Sequence, residues 1–389
     1  MRRLVHPRRQ TSESGRSLRG SARFLTSAGA LGARGGEGPP RAAADAFTEA
    51  GIPSHARRFD ADSGSADTGP GAAEFEVIGG EADHPDLAHW HGNVGRPVAL
   101  DLAPALAGGA AGVDVLSWNL GVGTARLGEV LERLRGGEWG GAGVDAARPL
   151  VVLAQEAYRT DESVPARAAS AHHGGLIVEG GQCDVVDTAR ELGLSLRYAP
   201  SMRNGAERSD RGNAVFCTAA LAASHAFPLP LIQQRRVAVA AEVAGLEGIT
   251  FVSAHLDTWG RPPRDDGWFW RFGSGRAAQA AELARRIVRA DGPGGVVLGA
   301  DLNTPLGRRD PAVRALVRGG FTPAAPVGEW GYSFRGPVRL LLDHVLYHAA
   351  RGRIAGVRVA RLDEHGPGGK RVFGSDHHPL LARVELRGA

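Results

Sequence analysis

Val296-Val297-Leu298-Gly299-Ala300-Asp301-Leu302-Asn303 is the stretch on which the reading of this chain turns. A short apolar, partly β-branched run reads as a buried strand. Gly294-Gly295 before it and Thr304-Pro305-Leu306-Gly307 after it bound the strand with turn signals. A carboxylate and an amide leave its far end two residues apart, and side chains at i and i+2 share a face. Asp301 and Asn303 would then point into one space, the acid able to take a proton and the amide able to hold an oxyanion. Asp and Asn also cap their own backbone in turns, so this stretch alone leaves both readings open.

Similar patterns recur on either side. Val113–Leu120, Pro149–Ala154, Gly212–Phe216, Arg236–Val243, Ile249–His255, Leu340–Leu346 and Pro379–Leu386 read as strands, with a hairpin turn across Gly245–Gly248. Helical spacing marks Leu127–Leu134, Val185–Leu192, Arg276–Arg289 and Pro311–Val317. Strands outnumber helices and several pairs join through short turns. The expected architecture is an α/β sandwich of four layers, two packed mixed sheets flanked by helices. There is no internal repeat, and no domain boundary is expected within residues 74–389.

Composition narrows the class. The 389 residues are 43% hydrophobic and 23% charged, as in ordinary soluble domains. No apolar run approaches the roughly 18 residues of a membrane span, so no transmembrane segment and a cytoplasmic location are expected. Cys183 and Cys217 are the only cysteines, which excludes a disulfide framework or thiolate metal cluster. The net charge of +4 lies wholly in residues 1–73, since residues 74–389 carry 35 basic and 35 acidic side chains. The folded part is therefore not uniformly basic, unlike a tight binder of the phosphate backbone.

Residues 1–73 are rich in Arg, Gly, Ser, Ala and Pro, with little periodicity. Such a segment cannot bury enough apolar surface to offset its ordering entropy, and it is expected to be a disordered tail. Its first 36 residues, with Glu13 as the only acid, have the composition of a transit peptide but lack a secretory apolar core. We read the segment as a dispensable tail and expect order to begin near Phe75–Ile78.

The polar residues cluster at strand ends. Asn119 and Glu156 end the first two strands, Asn213 opens a later one, and His255 ends another with Asp257 two residues on. Asp301, Asn303, Asp343 and the Ser375-Asp376-His377 run complete the series. Any one of them could be a satisfied structural group, but convergence at one sheet end is the usual origin of a ligand site. Carboxylates and amides without thiolates suit a hard ion such as Mg²⁺ or Mn²⁺. Histidines near carboxylates suit proton transfer and stabilisation of phosphoryl charge.

Seven segments in order carry a resemblance. They are Ser-Trp-Asn-Leu (117–120), Leu-Ala-Gln-Glu (153–156), Asp-Arg-Gly-Asn-Ala-Val (210–215), Ser-Ala-His-Leu-Asp (253–257), Gly-Ala-Asp-Leu-Asn-Thr (299–304), Leu-Asp-His-Val (342–345) and Gly-Ser-Asp-His-His-Pro (374–379). Together they resemble the endonuclease/exonuclease/phosphatase superfamily, whose fold is deoxyribonuclease-I-like. The resemblance implies a metal-dependent phosphoesterase. Glu156 would ligate the metal, Asn119 would contact metal-bound water or phosphate beside it, and Asp376 would complete the metal surroundings. Asp301 would orient or deprotonate the attacking water. Asn303 would hold a phosphate oxygen and Asn213 would support the phosphate pocket. His377 would contact the phosphate with Asp343 fixing its ring, and His255 would face the leaving group, with Glu207 as a conceivable acid partner. Arg339 lies too far from Asp343 to receive a role.

The expected partner is a phosphoester, nucleic acid being one option, acted on by a monomer. Between Asp257 and Arg276, residues Trp259, Trp268, Phe269 and Trp270 alternate with arginines. That loop could pack on the core, stack bases or meet a lipid interface. A phosphodiesterase leads; a phosphomonoesterase and a catalytically inactive binding module are the alternatives. The last requires loss of Glu156, Asp301 or His377, and all three are present.

Overall fold

A computed structural model of the chain describes residues 92–387, apart from 109, 140–147, 169–180, 206, 259–272, 290–293, 350–351 and 365–371, together with the backbone of Glu76–Val77. The tail expected over residues 1–73 and the tryptophan-rich loop lie outside the described residues.

In chain order the strands are β1 Glu76–Val77, β2 Val98–Leu100, β3 Gly112–Asn119, β4 Leu150–Thr160, β5 Ser195–Arg203, β6 Ser209–Cys217, β7 Leu221–Pro228, β8 Val237–Val243 and β9 Ile249–His255. They continue with β10 Gly295–Asp301, β11 Thr322–Pro323, β12 Ala325–Pro326, β13 Phe334–Arg335, β14 Arg339–Leu340, β15 Asp343–His348, β16 Ile354–Arg361 and β17 Leu380–Leu386. The helices are α1 Leu127–Arg135, α2 Val185–Leu192, α3 Ser274–Arg289 and α4 Pro311–Arg318. One sheet runs β1-β7-β8-β9-β10-β15-β11 and the other β12-β16-β17-β3-β4-β6-β5-β2, with β13-β14 a separate hairpin.

Side-chain parity builds four layers. Val113 and Val115 of β3, Val151 and Leu153 of β4, Ile249 and Phe251 of β9 and Val297 of β10 are buried between the sheets. Their alternates Leu116, Trp118, Val152 and Ala154 pack under α1 and α2. Val252, Ala254, Val296, Leu298 and Ala300 pack under α3 and α4. The period of two therefore gives each central strand two apolar faces. A Cβ at Gly299 would meet Ser117 Oγ at 2.6 Å, so glycine is what lets β10 approach β3 this closely. The α/β sandwich expected from the sequence is the fold observed.

Three of the longer strands escape sequence reading, as do the short β2, β11, β12 and β13. β5 carries Arg197 and Pro200 in its middle, β7 is punctuated by Ser224 and His225, and β16 by Gly356 and Arg358. Arg197 is tolerated because its fully buried guanidinium donates to Ser224 Oγ and to the Leu221 and Leu196 carbonyls. The stretch Leu340–Leu346, read as one strand, divides. Arg339–Leu340 joins the hairpin and β15 begins at Asp343, because Leu342 N and Asp343 N donate instead to Ser333 Oγ.

Candidate active site

Parity and register bring the polar strand ends to one mouth between the sheets. Asp301 pairs with His255 on its parallel neighbour and with Asp343 on its antiparallel one. Asn119, at the end of β3 in the other sheet, donates from Nδ2 to Asp301 Oδ2 at 2.9 Å. That bond crosses the sandwich.

Glu156 arrives by a different device. Residues 151, 153 and 155 of β4 face the other sheet, so residue 156 would ordinarily face the outer helices. The pairing with β6 instead slips between Ala154 and Ala157, and Glu156 takes φ +50°. A bulge of this kind re-aims a side chain. Its carboxylate is partly exposed and lies 3.9 Å from His255 Nδ1. Asn213 lies on β6 opposite the slip, where Nδ2 donates to the Val237 carbonyl. It ties β6 to the opposite sheet beneath the pocket.

His377 and Asp343 form a buried dyad. His377 Nδ1 lies 2.7 Å from Asp343 Oδ2, and its Nε2 is 3.8 Å from Asp301 Oδ2. The His377 backbone is pinned at both ends: Trp118 Nε1 donates to its carbonyl and its N–H donates to Ser375 Oγ. Ser375 Oγ in turn donates to the Asn119 carbonyl at 2.7 Å, coupling the two motifs. Burial would lower the His377 pKa, but the charges of Asp343 and Asp301 outweigh it and raise it, so the ring is an imidazolium. Burial, and then the neighbouring Asp343 charge, raise the Asp301 pKa.

His255 has the opposite character. Burial first, then the charges of Arg236, His377 and Arg211, drive its pKa well below the usual imidazole value. It is neutral. Asn303, itself at φ +50°, donates from Nδ2 to the Leu256 carbonyl at 2.9 Å, and the same nitrogen lies 3.0 Å from His255 Nε2. The Leu256 contact fixes the amide orientation, so Nε2 accepts and the proton sits on Nδ1, facing Glu156. In this arrangement Asn303 Nδ2 is shared between the Leu256 carbonyl and His255 Nε2 and so orients the ring. The acidic neighbours of His255 are Glu156 and Asp301; Glu207 is exposed and its carbonyl receives Arg203.

Asp301, Asp343 and His377 present ligand atoms within 4.8 Å of one another. Neither Glu156 nor the partly buried Asp376 is in that group; the Asp376 carbonyl accepts from Arg335 N.

Two residues were not singled out from the sequence. Arg236, immediately before β8, is buried with Nε 3.8 Å from Asp257 Oδ1 and an Nη2 bond to Gln234. Its charge is felt by His255, and Glu156 and Asp301 act on it. A basic residue at the mouth end of a strand was the available signal. Ser333 holds the β15 start through Oγ and accepts His378 N at its carbonyl, 2.7 Å. It therefore sets the spacing of the dyad, and no local pattern marks it.

His344, beside Asp343, points away from the dyad. Nε2 meets Thr304 Oγ1 at 2.8 Å while Thr304 Oγ1 donates to the Leu341 carbonyl, so the ring donates. Burial pulls its pKa down to about 4. A depressed histidine pKa means the unfolded chain binds the extra proton between the two values. The stability contribution is therefore complete above about pH 6.5 and is lost as pH falls through about 4, amounting to about 3 kcal/mol. Urea titrations in EDTA should show that loss, and His344→Gln should flatten it.

Residues 116–377 match the model of the Endonuclease/Exonuclease/phosphatase family. No curated protein sequence matches the chain. Among solved structures, the human Nocturnin catalytic domain with bound sulfate is 16% identical, at TM-score 0.43 over 75% of this chain and 97% of that one. An endonuclease/exonuclease/phosphatase from Bacteroides vulgatus is 14% identical, at TM-score 0.47 over 71% and 99%. Sphingomyelinase C from Streptomyces griseocarneus is 17% identical, at TM-score 0.42 over 70% and 99%. The sequence match spans most of both sheets and every residue of the mouth described above. The chain belongs to the endonuclease/exonuclease/phosphatase family.

Proposed function

We propose that the protein is a divalent-metal-dependent phosphodiesterase that directs water onto phosphorus. The observation that carries this is the Asn119–Asp301–His377–Asp343 chain of contacts across the two sheets. It sets a buried carboxylate of raised pKa beside a buried imidazolium.

The donor set fits a hard cation. Glu156 is held in a left-handed conformation, with its carboxylate partly exposed at the mouth, and strain of this sort is kept where surroundings enforce it. Asp343 Oδ1 is buried without a hydrogen-bond partner among the described residues. Glu156, on the Nδ1 side of the His255 ring whose Nε2 lies 3.4 Å from Asp301, would hold Mg²⁺ or Mn²⁺. The ion supplies neutralisation of phosphoryl charge. Asp376, next to His377 in the chain, would complete the surroundings of the ion.

Asp301 takes the proton from the attacking water, its raised pKa matching a base that works near neutrality. His377 donates Nε2–H to a phosphoryl oxygen and Asp343 holds it charged and oriented. Arg236 adds a second positive charge from just before β8. Asn119 aligns Asp301, and His255, neutral and steered by Asn303, steadies Glu156.

The test is turnover by the full chain with Mg²⁺, Mn²⁺ or EDTA, on plasmid, single-stranded DNA, a bis-aryl phosphodiester, an aryl monoester and sphingomyelin. Metal-dependent hydrolysis of a diester, abolished by EDTA, is expected. Preference for the monoester would overturn the diester assignment. A folded, metal-binding protein inert on every substrate would overturn the hydrolytic one.

A further inference from the structure

Three loops frame the mouth. Residues 229–236 precede β8, residues 304–309 follow Asn303, and residues 330–342 form the β13-β14 hairpin and its flanks. The first two are bridged by the start of α3 and the last two touch directly. Ile232 lies against Gly275 at the start of α3, and Arg276 pairs with Asp310 at 3.3 Å. Leu341 lies against Gly307, and its carbonyl accepts Thr304 Oγ1. The hairpin reaches the dyad, with Phe334 5.0 Å from the His377 imidazole.

These loops are alike in composition. They hold six arginines, of which Arg236 is buried beside Asp257, and no acid, although residues 74–389 as a whole are neutral. Among the described residues seven large hydrophobics are exposed, and four of them lie here: Leu231, Ile232, Leu306 at 54% and Val338 at 63%. Leu306 is followed closely by exposed Arg308 and Arg309, and Val338 by exposed Arg339. None of these three arginines pairs with a carboxylate among the described residues.

Protruding aliphatic tips flanked by cations suit a surface with buried tails and anionic headgroups. A nucleic-acid rim would present rings free for stacking. The rings of these loops, Trp330, Tyr332 and Phe334, are partly buried, with Arg339 over Tyr332 and Phe334 against His377. The most exposed apolar side chains are aliphatic. We propose that the mouth docks onto an anionic lipid–water interface, so that the phosphoester it receives is a lipid headgroup. This deepens, and rests on, the phosphodiesterase reading.

Flotation of the full chain in EDTA, with phosphatidylcholine vesicles with or without phosphatidylglycerol, measures docking without turnover. Binding should require phosphatidylglycerol and weaken with salt. It should fall about tenfold or more in Leu306→Asp/Val338→Asp and separately in Arg308→Glu/Arg309→Glu, with thermal unfolding unchanged. If either double variant unfolds, the other still decides. Wild-type binding in both variants would assign docking to another part of the chain and overturn the proposal. So would the absence of vesicle binding, or a rim-dependent preference for a single-stranded oligonucleotide. Because no metal is present, failure here leaves the hydrolysis assay intact, and the reverse also holds.

Discussion

Asp301→Asn should lower kcat/KM on a phosphodiester by about 10²–10⁴-fold, the range for removal of a positioned base, while raising thermal stability. The two effects share one cause. Asp301 is buried at the mouth between the sheets and its pKa is raised in the fold. A carboxylate with a raised folded pKa destabilises the native state as pH climbs through its unfolded value and up to the folded one. Asparagine removes that penalty and keeps Oδ1 for the Asn303 N–H, giving up only the Oδ2 that accepts from Asn119. Parallel melts of the two proteins at neutral pH in EDTA, with kinetics in Mn²⁺, provide the check. A variant that loses both activity and stability would mean Asp301 is a structural ion-pair member and not a strained base.

Removing the dyad should be markedly non-additive. His377→Ala is expected to cost about 10²–10⁴-fold in kcat and Asp343→Ala about 10–100-fold. The double variant should lie close to His377→Ala alone, since Asp343 acts through the ring it holds at 2.7 Å. In Asp343→Asn the His377 titration should shift down, because its largest raising influence is that carboxylate. NMR titration of the ring reads this directly. Multiplied losses in the double variant would show that Asp343 acts on the reaction independently of His377.

The strands that carry the site were legible because they combine unbroken apolar runs with a polar exit. β3, β9 and β10 each bury every residue and end at Asn119, His255 and Asp301. Strands stabilised by buried polar contacts were not legible. Arg197 in β5 reads as a surface residue until Ser224 and the Leu221 carbonyl are in place around it.

Within the site, residue identities and the Asp343–His377 pairing came from the sequence, and the other partners did not. Alternation assigns Asp301, His255 and Asn119 to one face of their strands, since a strand has a period of two. It cannot say that β3 and β10 face each other, which depends on sheet packing across Gly299 and Ser117. Glu156 is the clearest case. Parity along β4 alone sends it to the wrong face, and only the slip against β6, with φ +50°, turns it to the mouth. The roles of Asn303, Ser333 and Arg236 likewise follow from donors and charges brought together from distant positions in the chain. Local apolar periodicity therefore determined the layers and the ends of the strands. Hydrogen-bond satisfaction and burial in the assembled sandwich decided which polar atoms meet and which carry the proton.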